Sequence, residues 1–321
     1  LAISHTWDHK TVVDTFYRQY RWDGSYINSS RNEINGRGKS IRHTRRPLTM
    51  VNSTIGYRLV ENSTITLNYS LNSMHNKLAD DIDAEFVPSD ERFDKQIVGV
   101  SLSGELVNNR LNYLLFAKNY TSYLNVKQQE MYWITGSDKL SARTTTNWGG
   151  GSGLRYKFSN GLAIKASFEK SVRLPLPNEV LGNSTTIYPN YQIKPESSRN
   201  INIGLTGNLK WPAKHRLSYE ANGFFRRVED YIRLQISESE GMSQYQNVNS
   251  VFIRGVESEI HFHAGNSLEI MANMSYLYEV NKTRFQNNGK PEITYNNKMP
   301  NRPWLYANGG VSYRLYNIFG I

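Results

Sequence analysis

The sequence contains no cysteine, which excludes disulfide frameworks, zinc–thiolate sites and thiol nucleophiles together. It also lacks any run of about 18 apolar residues, the length that a membrane-spanning helix requires. The mean hydropathy of −0.59 agrees with that second absence. Strands that cross a membrane are not excluded, because each strand of a transmembrane barrel is apolar on only one face.

Apolar residues are scarce as well, at 38%, yet aromatic residues reach 12% and include 21 tyrosines. This combination is typical of a surface rich in amphipathic rings. The net charge of +10 would suit a nucleic-acid partner, but the basic residues are scattered and the sequence contains no groove-reading helix. We therefore expect no nucleic acid among the partners.

Strict alternation of apolar and polar side chains recurs along the chain, which is the period of a strand with two unlike faces. Between 267 and 279 one face is polar and includes Glu269 and Asn273. The other face is apolar and carries Leu268, Ile270, Ala272, Met274, Tyr276 and Tyr278. The same split recurs over 64–72, 161–169, 199–209 and 216–226. Alternation alone would also fit a β-sandwich or a soluble barrel with its apolar face inward.

The lengths of the connections favour a membrane barrel over those folds. Short polar turns lie near 60–63, 107–110, 159–161, 210–214 and 263–267. They alternate with longer segments near 18–45, 75–93, 127–145, 174–196, 237–243 and 281–301. Short connections on one side and long ones on the other are the plan of antiparallel outer-membrane barrels. The sequence therefore predicts an all-β fold, an antiparallel transmembrane β-barrel of about 12 strands, roughly half of the 22 in plugged transporters.

The stretch from 168 to 205 contains an Arg-x-Pro with a downstream Glu, then a Lys-Pro-Glu segment and a strand that ends in Gly-Leu. The residues concerned are Arg173, Pro175, Glu179, Lys194, Pro195, Glu196, Gly204 and Leu205. This arrangement resembles the late-barrel signature of TonB-dependent receptors. The signature's Asn-Pro is reversed as Pro189-Asn190, and Ile193 replaces Leu. The resemblance covers residues 161–318, and before 160 the strand pattern alone supports it.

The resemblance implies a bacterial outer-membrane protein that imports a scarce nutrient, with no enzymatic activity and no cofactor. It implies that residues 1–321 are part of one barrel domain, while the plug domain, its TonB-contacting segment and the closing strands lie outside this chain. We accordingly expect no pairing between residues 1–17 and the strand near 302–317. The implied partners are outer-membrane lipid and lipopolysaccharide, TonB through the plug, a surface lipoprotein in importers similar to SusC, and a small-molecule, glycan or peptide substrate.

Six signature residues are predicted to be architectural: Arg173, Pro175, Glu179, Lys194, Pro195 and Glu196. Prolines cannot donate ladder hydrogen bonds, so those between 175 and 195 mark the end of one strand, a long excursion and the start of the next. Arg173 and Glu196 are expected to pair across neighbouring strand ends, with substrate contact as the alternative role. Tyr188 and Tyr191 in the same excursion are the candidates for substrate binding.

Other chemistry-bearing residues have simpler explanations. His261 and His263 share a strand face, but no third ligand is nearby, so they predict polar interior residues and no metal site. Carboxylates between 80 and 85 lack the spacing of a calcium loop. The run from Gly149 to Gly153 is not followed by a helix and predicts a strand start or barrel bend, not a phosphate loop. Two alternatives to a receptor stay open, a passive porin and a secreted carbohydrate-binding β-protein.

Overall fold

The computed structural model describes the strands and most of their connections. The described residues are 1–14, 17–29, 39–83, 88–127, 142–159, 161–183, 187–212, 214–236, 243–285, 290–300 and 302–314. The elements are β1 (Ala2–Asp14), β2 (Tyr17–Tyr20), β3 (Tyr26–Ser29), β4 (Ser40–Val60), β5 (Ser63–Asp80), β6 (Ser89–Leu106), β7 (Leu111–Lys127), β8 (Ala142–Ser159), β9 (Leu162–Arg173), α1 (Pro177–Leu181), β10 (Ile187–Tyr188), β11 (Glu196–Trp211), β12 (His215–Ile236), β13 (Ser243–Ala264), β14 (Leu268–Asn281) and β15 (Leu305–Tyr313). Within these ranges, no helix is long and apolar enough to span a membrane.

One antiparallel sheet contains nearly all of the strands. Its order is β1-β4-β5-β6-β7-β8-β9-β11-β12-β13-β14-β15, so twelve long strands follow one another as the sequence predicted. The hairpin of β2 and β3 is separate, and β10 adds two residues in parallel to β13. Among the described residues, β1 and β15 do not pair with each other, and the sheet is open between them, as expected.

Short and long connections alternate along this sheet, which confirms the predicted plan. The short turns lie between β4 and β5, β6 and β7, β8 and β9, β11 and β12, and β13 and β14. The turn after β6 is tight, and its residues Val107, Asn108 and Asn109 have positive φ angles of 54°, 50° and 64°. Of the long segments, 128–141 and 237–242 lie outside the described residues.

Residues 174–183 and 187–195, here called the strap, lie between the end of β9 and the start of β11. Arg46 of β4 donates a hydrogen bond to the carbonyl oxygen of Gly182 (3.2 Å), and Tyr188 pairs with Gln244 of β13. Gly182 and Tyr188 lie side by side, since a Cβ atom on Gly182 would be only 3.0 Å from the carbonyl carbon of Tyr188. The strap therefore touches β4 and β13 at nearly the same place. On a flat sheet, however, β4 and β13 would be roughly 38 Å apart, at about 4.8 Å per strand. The sheet therefore curves around the strap.

The two faces of the curved sheet differ as the alternation predicted. We call the face toward the strap the covered face and the opposite one the open face. Polar side chains on the covered face include Lys165, Glu169, Asn200, Asn222, Glu269 and Asn273. Large apolar side chains are exposed on the open face, among them Ile164, Phe168, Ile201, Ile203, Leu205, Phe225, Val256, Met274 and Tyr276. A soluble sandwich would bury this second set, so the inward-apolar alternative is wrong.

Candidate functional site

The two ends of the strap are joined by the guanidinium of Arg173, the last residue of β9. Its Nη2 donates to Glu196 Oε1 at 2.8 Å, which confirms the expected pair, and its Nη1 donates to Glu179 Oε2 at 3.0 Å. Glu179 lies in α1 and also accepts the backbone N–H of Leu176 (2.7 Å), as an acidic residue in a first helical turn does. Glu196 Oε1 accepts the N–H of Ile232 (2.7 Å) as well. One arginine thus links β9, α1 and β11.

A second anchor joins the strap to β4, β5 and β6. Arg46 donates from Nε to Asn76 Oδ1 (2.8 Å), and Asn76 donates to Glu91 Oε2 (2.6 Å). Glu91 Oε1 accepts the hydroxyl of Tyr191 at 2.5 Å. Arg46 and Glu91 are only 8% and 4% exposed, so two opposite charges are buried on either side of one amide. Burial and the nearby carboxylate of Glu91 raise the pKa of Tyr191, which keeps the hydroxyl protonated as a donor.

Sequence reasoning missed Arg46, Asn76 and Glu91. Each is one polar residue on the polar face of an alternating strand, which is the ordinary pattern for that face. Arg46 meets the strap residues Asn178 and Gly182 across more than 130 positions of sequence. Such long-range contacts leave no local signal in the chain.

A third anchor joins the second half of the strap to β13 and β8. Gln244 Nε2 donates to the carbonyl of Pro189 (2.9 Å). Asn247 accepts the N–H of Lys194 (2.8 Å) and donates to its carbonyl (3.0 Å), and Arg143 Nη2 donates to the carbonyl of Ile193 (2.7 Å). These side chains bond backbone groups of the strap that no strand ladder pairs. Both described parts of the strap, 174–183 and 187–195, are therefore anchored to the sheet.

The largest apolar core cluster lies between the strap and the covered face. From the strap it takes Val180, Leu181 and Ile193, the last only 1% exposed. From the sheet it takes Phe93, Leu124, Val126 and Ile232. Ile193 stands where the family signature has Leu, and its burial accounts for an apolar residue at that position. The predicted excursion thus folds back onto the sheet.

The two tyrosines chosen as substrate candidates have different surroundings. Tyr188 is 44% exposed, and β10 fixes its backbone against Gln244. Tyr191 packs against the core cluster and its hydroxyl is already hydrogen-bonded to Glu91. Tyr188 is therefore the better placed of the two to touch a ligand, and substrate binding by either stays a prediction.

A polar cavity lies at the opposite end of the covered face, beside the short turns. It measures about 720 Å³, and its lining includes Arg110, Arg155, Lys157, Glu220, Glu259 and His261. Lys165 donates to Glu220 at 2.8 Å, across a strand whose Gly204 presents no side chain to obstruct the pair. This lining suits contact with a polar surface or water, as expected of a barrel interior.

The residues considered for metal binding have other partners. His261 Nε2 lies 2.5 Å from Glu259 Oε1, and His263 lies 3.9 Å from Glu269. Asp80 accepts the N–H groups of Ile41, Ile82 and Asp83 and the hydroxyl of Ser40, so it closes the turn after β5. Glu85 lies outside the described residues. Over the described ranges, no three His, Cys, Asp or Glu side chains are grouped to hold a metal ion.

The glycine run lies inside β8, with its odd-numbered members on the covered face. Gly151 pairs with Phe116, and a Cβ atom there would lie 2.5 Å from the carbonyl oxygen of Phe168. Gly153 has open space, with its nearest neighbour at 3.9 Å. A close approach of neighbouring strands explains the glycines at 149, 150 and 151. The predicted position at a strand start is wrong, because β8 begins at Ala142.

A family model described as TonB dependent receptor-like, beta-barrel matches residues 2–320. Among solved structures, the copper transporter OprC is 16% identical, with a TM-score of 0.68 over 89% of this chain and 44% of that chain. The FrpB iron transporter from Neisseria meningitidis is 14% identical, with a TM-score of 0.58 over 88% of this chain and 42% of that chain.

A further similar structure is a double mutant of the Serratia marcescens hemophore receptor HasR, in complex with its hemophore HasA and heme. It is 16% identical, with a TM-score of 0.52 over 85% of this chain and 49% of that chain. No curated protein matches the chain. These likenesses show the fold, and the chain spans less than half of each of the three proteins.

Proposed function

Because this chain belongs to the TonB-dependent receptor β-barrel family, we propose that it is part of the wall of an outer-membrane receptor that imports a scarce nutrient. The family mediates nutrient uptake across the bacterial outer membrane. In this proposal the plug, its TonB-contacting segment and the remaining strands are supplied outside residues 1–321. Surface lipoprotein partners belong to the same proposal.

The observation that carries the proposal is the apolar open face of a sheet that curves around its own strap. From Phe168 to Leu162 on β9, and from Tyr276 to Leu268 on β14, every side chain on the open face is apolar. Such a band faces the hydrocarbon core of a bilayer, and in outer-membrane barrels it is about 25 Å tall. Tyr276 packs edge-on against Trp304 at 6.1 Å, which suits an aromatic girdle at the interface.

The strap favours active uptake over free diffusion, because it narrows the extracellular opening beside the covered face. It lies at the long-loop end, which is extracellular in outer-membrane barrels. Its apolar residues fill space beside the covered face that a passive porin would leave to water. We propose that substrate passes this segment on the way to the plug, with Tyr188 exposed toward it and Tyr191 holding the strap in place.

The substrate class stays within iron chelates, cobalamin, glycans and peptides. The similar structures are named for copper and iron transport and for heme, so a copper chelate is included among the probes. No residue set on the covered face resembles the nucleophile or paired carboxylates of a hydrolase in the described part of the chain, and we propose transport without catalysis. A passive porin is the second candidate, because it would share the open-face band.

Growth under defined limitation tests this function. Strains with the gene, without it, and with the gene but without TonB would be grown on limiting ferric chelate, copper, cobalamin, and a glycan or peptide as sole carbon source. We expect one condition in which growth needs both the gene and TonB. Growth that needs the gene but not TonB would establish the porin, and indifference to the gene in all conditions would contradict uptake of these nutrients.

A further inference from the structure

A buried carboxylate connects the strap to the sheet at its long-loop end. Glu91 of β6 is 4% exposed, and Asn76, opposite it on β5, is 1% exposed. Glu91 Oε2 accepts an amide N–H of Asn76 (2.6 Å), and Oε1 accepts the hydroxyl of Tyr191 (2.5 Å). Both donors are neutral. The strength of this contact with the strap therefore depends on whether the carboxylate is charged.

The positive charge that compensates Glu91 lies on the other side of an amide. Arg46 donates from Nε to Asn76 Oδ1 at 2.8 Å. Its two Nη atoms donate to the strap, at Asn178 Oδ1 and at the carbonyl of Gly182, each at 3.2 Å. Arg46 thus holds the first described part of the strap and Glu91 holds the second. One buried pair of opposite charges fastens both parts.

This pair lies above the height at which the sheet faces hydrocarbon. On the open face at the same height, Lys77 lies 3.9 Å from Asp90, and Arg92 lies 2.8 Å from Asp94. Charges on the lipid-facing side are costly within the hydrocarbon core, so these ion pairs mark the extracellular extension of the strands. The environment of Glu91 is accordingly set by the strap and by the outside medium.

Burial has the largest influence on the charge of Glu91, and it raises the pKa of this carboxyl group above its usual range. The hydrogen bonds from Tyr191 and Asn76 and the charge of Arg46 oppose the rise without cancelling it. A carboxylate removed from water loses hydration that two neutral donors replace only in part. The docked strap therefore favours the protonated form of Glu91.

The other charges around Glu91 do not reverse this direction. Asp90, its neighbour on β6, adds to the rise in pKa. Asp8 of β1 is opposite Arg46 in the register and supports the charge of the guanidinium. From β7 the residue opposite Glu91 is Val126, which is apolar and buried. From the strap, the titratable group at the carboxylate is the tyrosine hydroxyl already described.

We propose that the strap is a pH-dependent latch on the extracellular opening, held most firmly in acid and loosened as the medium becomes less acidic. The proposal rests on the proposed function only in that the strap narrows the opening of a receptor. Departure of the strap from the covered face is here called lifting. Lifting admits water to Glu91 and removes the hydroxyl of Tyr191 from it.

The direction of the latch follows from proton binding. In the lifted state the pKa of Glu91 returns toward the ordinary glutamate value of about 4.3. Because the docked state has the higher pKa, docking is accompanied by proton uptake. The contribution of Glu91 to docking is fully present below the ordinary value and is lost as the pH rises through the raised one.

The test measures how often the strap lifts in the full-length receptor that carries this chain, purified in detergent at a series of pH values. Val180 is 2% exposed in the core cluster, so Val180→Cys reacts with a thiol reagent only when the strap lifts. Gln192→Cys, at an exposed position of the strap, gives the reactivity of a thiol that needs no lifting. Any cysteine outside this chain is replaced by serine. The ratio of the two labelling rates, the lifting ratio, is free of the pH dependence of the thiol itself.

Between about pH 4 and about pH 8, the lifting ratio should rise roughly tenfold for each unit by which docking raises the pKa of Glu91. Glu91→Gln removes the titrating group and should make the ratio independent of pH. Asp90→Asn, a change of the neighbouring and half-exposed carboxylate on the open face, should keep the rise. Tyr191→Phe removes a donor to the carboxylate and should extend the rise to higher pH, which tests the latch even where Glu91→Gln fails to assemble.

A lifting ratio that is the same at every pH, or that increases toward acid, would overturn the latch. A pH dependence that persists in Glu91→Gln, or that disappears in Asp90→Asn, would overturn it as well. The measurement needs no substrate, so it is separate from the growth test of uptake. TonB-dependent growth by a receptor whose strap lifts equally at every pH would overturn the latch alone. Indifference of growth to the gene, with the expected pH dependence of lifting, would contradict uptake and support the latch.

Discussion

Arg46 donates a hydrogen bond of 3.2 Å to the carbonyl oxygen of Gly182, 136 residues further along the chain. The same guanidinium reaches Asn76 on the adjoining strand, and through it Glu91. This one side chain therefore connects β4 to the strap, and its hydrogen bonds to Asn76, Asn178 and Gly182 account for a buried arginine at this position.

Arg46→Gln should release the strap from β4. It removes one of two buried opposite charges and leaves Glu91 with only the neutral donors Asn76 and Tyr191, which costs on the order of 3 kcal/mol. We expect a lower unfolding temperature in detergent and faster proteolysis within the strap. The control is Arg58→Gln, an exposed residue of the same strand and face, which should change stability by no more than about 0.5 kcal/mol. Equal effects of the two substitutions would show that the contact with Gly182 contributes nothing.

Gly151→Ala tests the close approach of strands in β8. The added Cβ would lie 2.5 Å from a backbone oxygen and 3.0 Å from the Cα of Glu169, so the backbone must move. Overpacking of this kind costs about 1–3 kcal/mol. Gly153→Ala, two residues away on the same face, has open space and should be nearly neutral. Urea unfolding in detergent measures both, and a neutral Gly151→Ala would contradict the packing described for this run.

The sidedness of the connections can be read with single cysteines, since the chain has none of its own. Trp22 and Ile293 lie in long connections and are 99% and 89% exposed, whereas Glu61 lies in the short turn after β4. Each is replaced by cysteine in turn. We expect an impermeant thiol reagent to label the first two on intact cells. Glu61→Cys should be labelled only after the outer membrane is opened. The reverse pattern would invert the topology.

Much of the wall could be predicted from sequence because its rules are local. Period-two alternation indicates a strand wherever one face meets lipid and the other water, and Pro175 and Pro195 bracket the strap because neither can donate to a ladder. The pair of Arg173 and Glu196 could be anticipated because the two residues lie at the ends of adjoining strands.

The inward fold of the strap could not be predicted in this way. It depends on Arg46, Asn76 and Glu91, which contact Gly182 and Tyr191 from distant parts of the chain. It also depends on a core cluster whose residues come from β6, β7 and β12 as well as from the strap. The five-residue helix α1 and the two-residue strand β10 are too short for any periodic signal. Their positions follow from what they pack against.

The central claim is that the open face of this sheet meets lipid and the covered face does not, and two adjacent residues of β14 test it most directly. Met274 is exposed in the middle rows of the open face, while Asn273 is on the covered face and accepts a hydrogen bond from Asn308 (3.1 Å). An arginine facing lipid near the midplane costs about 2–4 kcal/mol, and one facing the interior is tolerated. In the full-length receptor, Met274→Arg should sharply reduce the heat-modifiable folded form in outer membranes, and Asn273→Arg should leave it near the wild-type level. Equal amounts of folded protein, or a greater loss with Asn273→Arg, would contradict a transmembrane wall.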